Sequence, residues 1–300
     1  MRCTTRRTLA LLPLAAVLLL AAPPGWAQRA PAVPALGGDS WAATRQARRG
    51  TLTVAYYYPI DGFVYRDANG KLTGLTVEVV EQFRSYLHNV RDTEVSFRLV
   101  EFTDFTAFYS AVQRGNGGVL GLAGTTITEA RRKEIAFSPP YFSSRQVLVT
   151  NAAVPDLTSR GRIGAELAGF TGLAFRGTTL EATTRKLKAE SFPALTVEAI
   201  PDYHTIVDRL SNDRKAFAFL DLNVFWVERK NGAKIKRHRV ADGPHEDFGL
   251  ILPPGSDWQA PLADFFAVGG GYRSSRAYRQ LMIKHLGVDL VELLDTGGGR

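Results

Sequence analysis

The sequence predicts an α/β protein built as two lobes, and three observations lead there. From Thr51 onward, short β-prone runs alternate with amphipathic stretches of 10–14 residues, the pattern of mostly parallel strands with helices on both faces of a sheet. The same grammar recurs after residue 170. Two further strand-like segments, 145–150 and 247–252, stand just before and just after that second block, placed to cross between the lobes. Ligands of open α/β sheets bind beyond the carboxyl ends of the strands, so two such lobes would meet at a cleft.

The chain opens with Arg2, Arg6 and Arg7, followed by 14 apolar residues from Leu9 to Ala22. Gly25 and Ala27 are then small residues suited to a cut after Ala27. This is the pattern of a cleaved signal peptide, and the run is too short for a bilayer, which takes about 20 apolar residues. Residues 1–27 are expected to be removed on export. Residues 28–46, rich in Ala, Pro and Gly without a period, are expected to form a flexible leader, with Trp41 available to tack back onto the body.

Residues 52–58 (LTVAYYY) form the first strand. Asp67-Ala68-Asn69-Gly70 marks a hairpin turn. Leu75, Val79, Phe83 and Leu87, four apart, define an amphipathic helix. A strand over 94–102 alternates Val95, Phe97 and Leu99, and Thr103-Asp104 caps a helix presenting Phe105, Phe108, Tyr109 and Val112. A short buried strand over 119–124 follows. The second block reads as strands at 173–175, 195–200 and 216–221 around helices at 178–189 and 203–212. A strand at 248–253 and helices near 258–267 and 275–286 close the chain. The expected division is a first lobe over 47–148, a second over 149–246, and a return of the chain to the first lobe, with its tail, over 247–300.

Composition narrows the chemistry. The 37 Lys and Arg against 29 Asp and Glu give a net charge of +8, of which three charges belong to the opening arginines. The remaining excess is too mild and dispersed to argue for nucleic acid. Cys3 is the only cysteine, which excludes a disulfide framework, a Cys-ligated metal and a cysteine nucleophile. The five histidines are scattered without metal-binding spacing, and neither a P-loop nor a nucleophile elbow is present, so no cofactor or metal is expected. The basic run 229–239 has Asn231-Gly232 as a turn entering a strand and reads as a solvated sheet edge.

Taken singly, the candidate residues are ambiguous. Arg131, beside Arg132 and Lys133, suits either a solvated basic face or a bidentate grip on a carboxylate. Gly124 and Thr126 lie in a strand-to-helix turn that either caps a helix or brings backbone close to a ligand. Gly177-Thr178-Thr179 starts a helix whose free N–H groups favour an anion. Asp221, after five apolar residues, either caps the segment Leu222–Trp226 or faces the cleft. Phe105 suits the core as well as a ligand contact.

Residues 121–142, GLAGTTITEARRKEIAFSPPYF, resemble the signature of the amino-acid-type extracellular solute-binding proteins that serve ABC importers. The resemblance extends to GKLTGLTVEVVEQF (70–83), FRGTTLE (175–181) and AFAFLDLNVFW (216–226), and spans about residues 48–290. It implies a periplasmic binding protein type 2 fold: two lobes, each a mostly parallel sheet flanked by helices, joined by two crossover strands. By the same resemblance, Arg131 takes the ligand's α-carboxylate with Thr178 and Thr179, and Asp221 takes its ammonium. Gly124 and Thr126 assist both ends, and Phe105 packs on the side chain. Relatives often keep an acid where Tyr57 stands, and an Asp where Thr76 stands; the missing carboxylate makes a lysine- or arginine-like ligand less suited.

The implied protein is a periplasmic, monomeric, non-catalytic binding protein. Its partners would be an amino acid or related small polar compound and the membrane permease subunits of an ABC importer. Two alternatives come from the same fold. One is a cleft enzyme of the cyclohexadienyl dehydratase type, with Asp61 and Glu78 as candidate acids. The other is a ligand-less accessory protein of a periplasmic dehydrogenase.

Overall fold

The computed structural model describes residues 36–297. The expected signal peptide and its cut after Ala27 lie outside the described residues. In chain order come α1 (Trp41–Ala47), β1 (Arg49–Tyr57), the hairpin β2 (Tyr65–Arg66) and β3 (Leu72–Thr73), α2 (Leu75–Arg91), β4 (Glu94–Phe102), α3 (Phe105–Gln113) and β5 (Val119–Leu122). The short α4 (Glu129–Arg132) and β6 (Ala136–Phe137) precede the long β7 (Phe142–Asn151). The second block holds α5 (Ile163–Glu166), β8 (Thr171–Phe175), α6 (Thr179–Ser191), β9 (Thr196–Ile200), α7 (Tyr203–Asn212), β10 (Ala216–Asp221), α8 (Leu222–Lys230) and β11 (Ile235–His238). The chain returns through β12 (His245–Phe248) and β13 (Ile251–Leu252) to α9 (Gln259–Ala267), α10 (Arg276–Leu286) and α11 (Val288–Gly297).

These elements make the two-lobed α/β architecture. The first sheet runs β4-β1-β5-β13-β6 and the second β11-β7-β10-β8-β9. Each has a parallel core of three strands, β4-β1-β5 and β10-β8-β9. The added strands are antiparallel: β13 to β5 and β6, β7 to β10 and β11. The helix spacing read from the sequence matches what is buried, with Leu75, Val79, Phe83 and Leu87 of α2 all fully enclosed. On β4 the alternation fails at Leu99, 53% exposed, because β4 is the sheet's edge and leaves that side chain uncovered among the described residues.

The crossing segments fall where expected, with one difference. The start of β7 pairs with β12 (Phe142 opposite Phe248, Arg145 opposite His245), and its later half joins the second sheet, with Val147–Thr150 opposite Leu220–Phe217 of β10. The segment 247–252 is not one strand but two, broken at Gly249. A side chain there would meet Ile127 and Phe137 at about 3 Å, and the Gly249 N–H turns to the Thr125 carbonyl.

The reading of 28–46 as a flexible leader needs correction from residue 36 onward. Leu36 is buried, and residues 41–47 form α1. The Ser40 hydroxyl accepts from the Ala43 N–H at 3.2 Å, and the Asp257 carboxylate accepts from the N–H groups of Trp41 and Ala42 at 2.9 and 3.0 Å. Trp41 packs on Trp258 with ring centroids 5.3 Å apart. Asp257 and Trp258 are over two hundred residues away in sequence, so the local Ala/Pro/Gly composition could not reveal the anchor. The basic run near 229–239 does end in an edge strand, β11. It is only partly solvated: Ile235 and His238 are buried, Arg237 pairs with Asp242, and Lys236 pairs with Asp156.

Removing the remote cap in Asp257→Ala should cost about 1 kcal/mol, the usual worth of a helix N-terminal cap. That corresponds to a thermal midpoint lower by roughly 2 °C. An unchanged midpoint would mean that α1 is not held by this carboxylate.

Candidate functional site

Between the two sheets lies a cavity lined by Tyr57, Phe105, Gly124, Thr126, Arg131, Thr178, Thr179 and Asp221. All eight candidates drawn from the sequence therefore face one enclosed space. They come from the carboxyl ends of β1, β4, β5, β8 and β10 and from the loops and helices that follow, as the topology of an open α/β sheet requires.

Arg131 sits on α4, whose first turn is capped by the Thr128 hydroxyl accepting from the Arg131 N–H at 3.1 Å. Its Nη1 donates to the Thr126 carbonyl at 3.1 Å. The guanidinium lies 5.6 Å from the Phe105 ring centre and 5.5 Å from that of Tyr109, within cation–π range. Burial lowers its pKa; an arginine nonetheless stays charged. Arg132 and Lys133 are exposed, so Arg131 alone of the basic trio reaches the cavity.

Asp221 stands at the end of β10. Its side chain makes no capping bond to α8, which removes the capping alternative. Its Oδ1 is buried with no hydrogen-bond partner among the described residues. Burial, reinforced by the nearby Glu246 charge and opposed by Arg131, pushes its carboxyl up to about 8. A buried carboxyl with an unpaired oxygen and a raised pKa is a natural acceptor for a cationic donor.

The other candidates are supports and donors. Thr178 does not cap α6 with its side chain; its hydroxyl donates to the Phe175 carbonyl at 2.7 Å. The first-turn N–H groups of α6 are thus not taken up by that hydroxyl. Glu181 steadies the approach by accepting from the Gly177 N–H at 2.8 Å. The Thr126 and Thr179 hydroxyls meet across the cleft at 3.3 Å. At Gly124 an added Cβ would make only an ordinary contact with Phe248, so the fold itself does not demand glycine there. Tyr57 is buried against Phe105 and Phe175, and burial with the charges of Asp202 and Asp104 raises its phenol pKa, keeping it protonated. Thr76 is buried and donates to the Tyr141 hydroxyl at 3.2 Å, which in turn donates to the Ala123 carbonyl at 2.8 Å beside Gly124.

Several site residues were not singled out from the sequence. Phe175 closes the cavity opposite Tyr57 and Phe105; its place as the last residue of a strand before Gly-Thr-Thr could have signalled it. Tyr203 lines the wall, and its hydroxyl accepts from the Asp61 N–H at 3.0 Å. Glu246 of β12 is raised by burial but held by Gln146 at 3.2 Å and by Thr126, while Thr183 donates to Gln146 at 2.6 Å. No sequence signal marks Glu246, because β12 and β7 meet only in the tertiary structure. The acids proposed for the enzymatic alternative lie outside the cavity. Glu78 pairs with Lys284 and His285, and the Asp61 carboxylate accepts from Asn231 at 3.3 Å. Among the described residues, no cluster of three or more His, Cys, Asp or Glu could hold a metal ion.

Residues 52–268 match the bacterial extracellular solute-binding proteins, family 3. The chain belongs to this family. Solved members of the same fold align over most of the chain. An ancestral arginine-binding protein bound to arginine aligns with TM-score 0.64 and 23% identity, over 79% of this chain and 98% of its own. The ancestral amino acid-binding protein AncCDT-1, a precursor of cyclohexadienyl dehydratase, aligns with TM-score 0.60 and 20% identity, over 79% and 95%. At these identities the likeness shows the fold alone. A membrane-bound lytic murein transglycosylase F of Pseudomonas putida is 26% identical over 147 residues, 49% of this chain and 27% of the relative. The chain thus spans about a quarter of the length of that curated relative. The family is extracellular, and among the described residues no helix is long and apolar enough to cross a membrane.

Two predictions follow from this geometry. A carboxyl whose folded pKa exceeds its unfolded value adds nothing adverse below the unfolded value near 3.8. It costs progressively more as pH rises toward about 8. Asp221→Asn should therefore raise the thermal midpoint of the ligand-free protein at pH 8, with the gain shrinking toward pH 4; a pH-independent difference would refute the burial of this charge. At Gly177, φ is +74° and a Cβ would stand 2.6 Å from the Thr106 hydroxyl across the cleft. Gly177→Ala should leave each lobe folded while hindering closure, read as a larger radius of gyration in small-angle scattering than wild type.

Proposed function

We propose that this protein is an exported, monomeric receptor that captures a free α-amino acid between its lobes and presents it to the permease subunits of an ABC importer. The observation that carries the reading is the placement of two buried opposite charges, Arg131 from the first lobe and Asp221 from the second, on one cavity. The ligand's carboxylate would take the guanidinium fork and the N–H groups at the start of α6; its ammonium would take the unpaired Asp221 oxygen. Gly124 and Thr126 would supply backbone and hydroxyl contacts to both ends. Contacts drawn from both lobes favour the closed form by their difference between states, which is what a ligand-driven population shift requires. The closed outline is then what a permease reads. The amino-terminal 27 residues would direct export to the periplasm and be removed.

A binding role suits the site better than catalysis, since Asp61 and Glu78 lie away from the cavity and Asp221 is the carboxyl that lines it. The reading is tested by thermal denaturation of the purified protein with each of the twenty common L-amino acids. At about a hundred times its dissociation constant, a ligand adds roughly 2.7 kcal/mol of stability. Arg131→Gln should abolish that stabilisation, lowering affinity at least about a hundredfold through loss of a buried charge partner, while its unliganded midpoint stays near wild type. Silence of the wild type across all twenty would defeat the proposal.

A further inference from the structure

The wall of the cavity beyond Arg131 and Asp221 is made of rings. Tyr57 at the end of β1, Phe105 at the start of α3 and Phe175 at the end of β8 form a mutual trio, with centroid separations of 5.9, 6.0 and 6.1 Å. Two of these rings follow strands of the first sheet and one ends a strand of the second, so their contacts span the cleft. On the amino-acid reading, a ligand side chain would extend toward this trio. What remains is about 50 Å³, a few times the roughly 10–15 Å³ that admits a single water.

The charge inventory points the same way. Among the described residues, the lining carries one cation, Arg131, and one anion, Asp221, and both are claimed by the two ends of an amino acid. Glu246 is already held by Gln146 and Thr126. The other acids near the wall do not line the cavity: Asp104 and Asp202 cap α3 and α7, Asp61 accepts from Asn231 at 3.3 Å, and Glu228 lies 3.6 Å from His204. A charged ligand side chain would therefore be buried against aromatic faces without a counter-charge, an arrangement that is strongly disfavoured. A long neutral one would have to displace the ring trio.

We infer that the cleft selects α-amino acids with short, uncharged aliphatic side chains, of the size of alanine to valine, and that Tyr57, Phe105 and Phe175 set this limit. The inference rests on the amino-acid-binding reading and narrows it. The solved arginine-binding relative is named for a long cationic ligand, so the assignment separates this chain from that relative despite the common fold.

Isothermal titration of the full chain with L-alanine, L-valine, L-leucine, L-phenylalanine, L-arginine, L-lysine, L-aspartate and L-glutamate decides the matter. Alanine or valine should bind at least about a hundredfold more tightly than any of the four charged amino acids, the penalty of an uncompensated buried charge. Phe175→Ala should then shift the preference toward leucine or phenylalanine over alanine by about tenfold or more, as added room in an apolar pocket does. A charged amino acid bound as tightly as alanine overturns the inference and leaves the amino-acid reading standing. No binding by any of the eight overturns the inference; the amino-acid reading falls with it only if the thermal screen of all twenty amino acids is silent as well. An unchanged preference in a folded Phe175→Ala protein overturns the role of the rings; the wild-type ranking decides the ligand class whether or not that variant folds.

Discussion

The site depends on one cation, Arg131, and one ionisable carboxyl, Asp221, held largely away from water on one mostly apolar cavity. Removing an ion from water costs several kcal/mol even after relaxation, and the chain compensates the two unequally. Arg131 receives a backbone carbonyl and two aromatic faces, whereas the Asp221 Oδ1 receives nothing within the described residues. The imbalance leaves the guanidinium supported and one carboxyl oxygen of Asp221 unpaired. In the protonated state that burial favours, Asp221 stays neutral and the cost is deferred.

The surroundings hold Arg131 and Asp221 in register across the boundary between the two sheets. The start of β7 pairs with β12 to form the bridge between sheets, and the polar chain Thr183–Gln146–Glu246–Thr126 runs along it. That chain reaches both lobes and ends on the residue whose carbonyl holds Arg131. Gly177, at φ +74°, faces Thr106 across the gap so closely that an added Cβ would force the Thr106 hydroxyl to move, and the Thr126 and Thr179 hydroxyls meet across the cleft at 3.3 Å. The lobes thus close on small groups near the charges, while the wall beyond is occupied by rings. The family relationship and the two-lobed fold agree with this use of the crossing strands.

Much of this arrangement was legible before any coordinates. The helical spacing of Leu75, Val79, Phe83 and Leu87, the turn at Asp67–Gly70, and the alternation of strands and helices in the second block all mark local structure, where a residue's neighbours in sequence are its neighbours in space. The eight site candidates could be named because each sits at a strand end or helix start within a short recognisable segment. Legibility failed where the deciding partner was remote. Helix α1 is anchored by Asp257 and Trp258, the strand at 247–252 breaks because Gly249 must clear Ile127 and Phe137, and Leu99 is left uncovered by its edge position.

The sequence by itself determined the α/β alternation and the elements carrying the site, because hydrophobic period and turn chemistry act over a few residues; Arg131 and Asp221 were marked only by the resemblance of segments 121–142 and 216–226 to a family signature. Only the tertiary structure decided that Asp221 leaves α8 uncapped and faces the cavity, that Glu246 stands beside it, and that Phe175 closes against Tyr57 and Phe105. These are relations between side chains far apart in the chain, and their energies depend on burial and distance, which no local pattern of residues encodes.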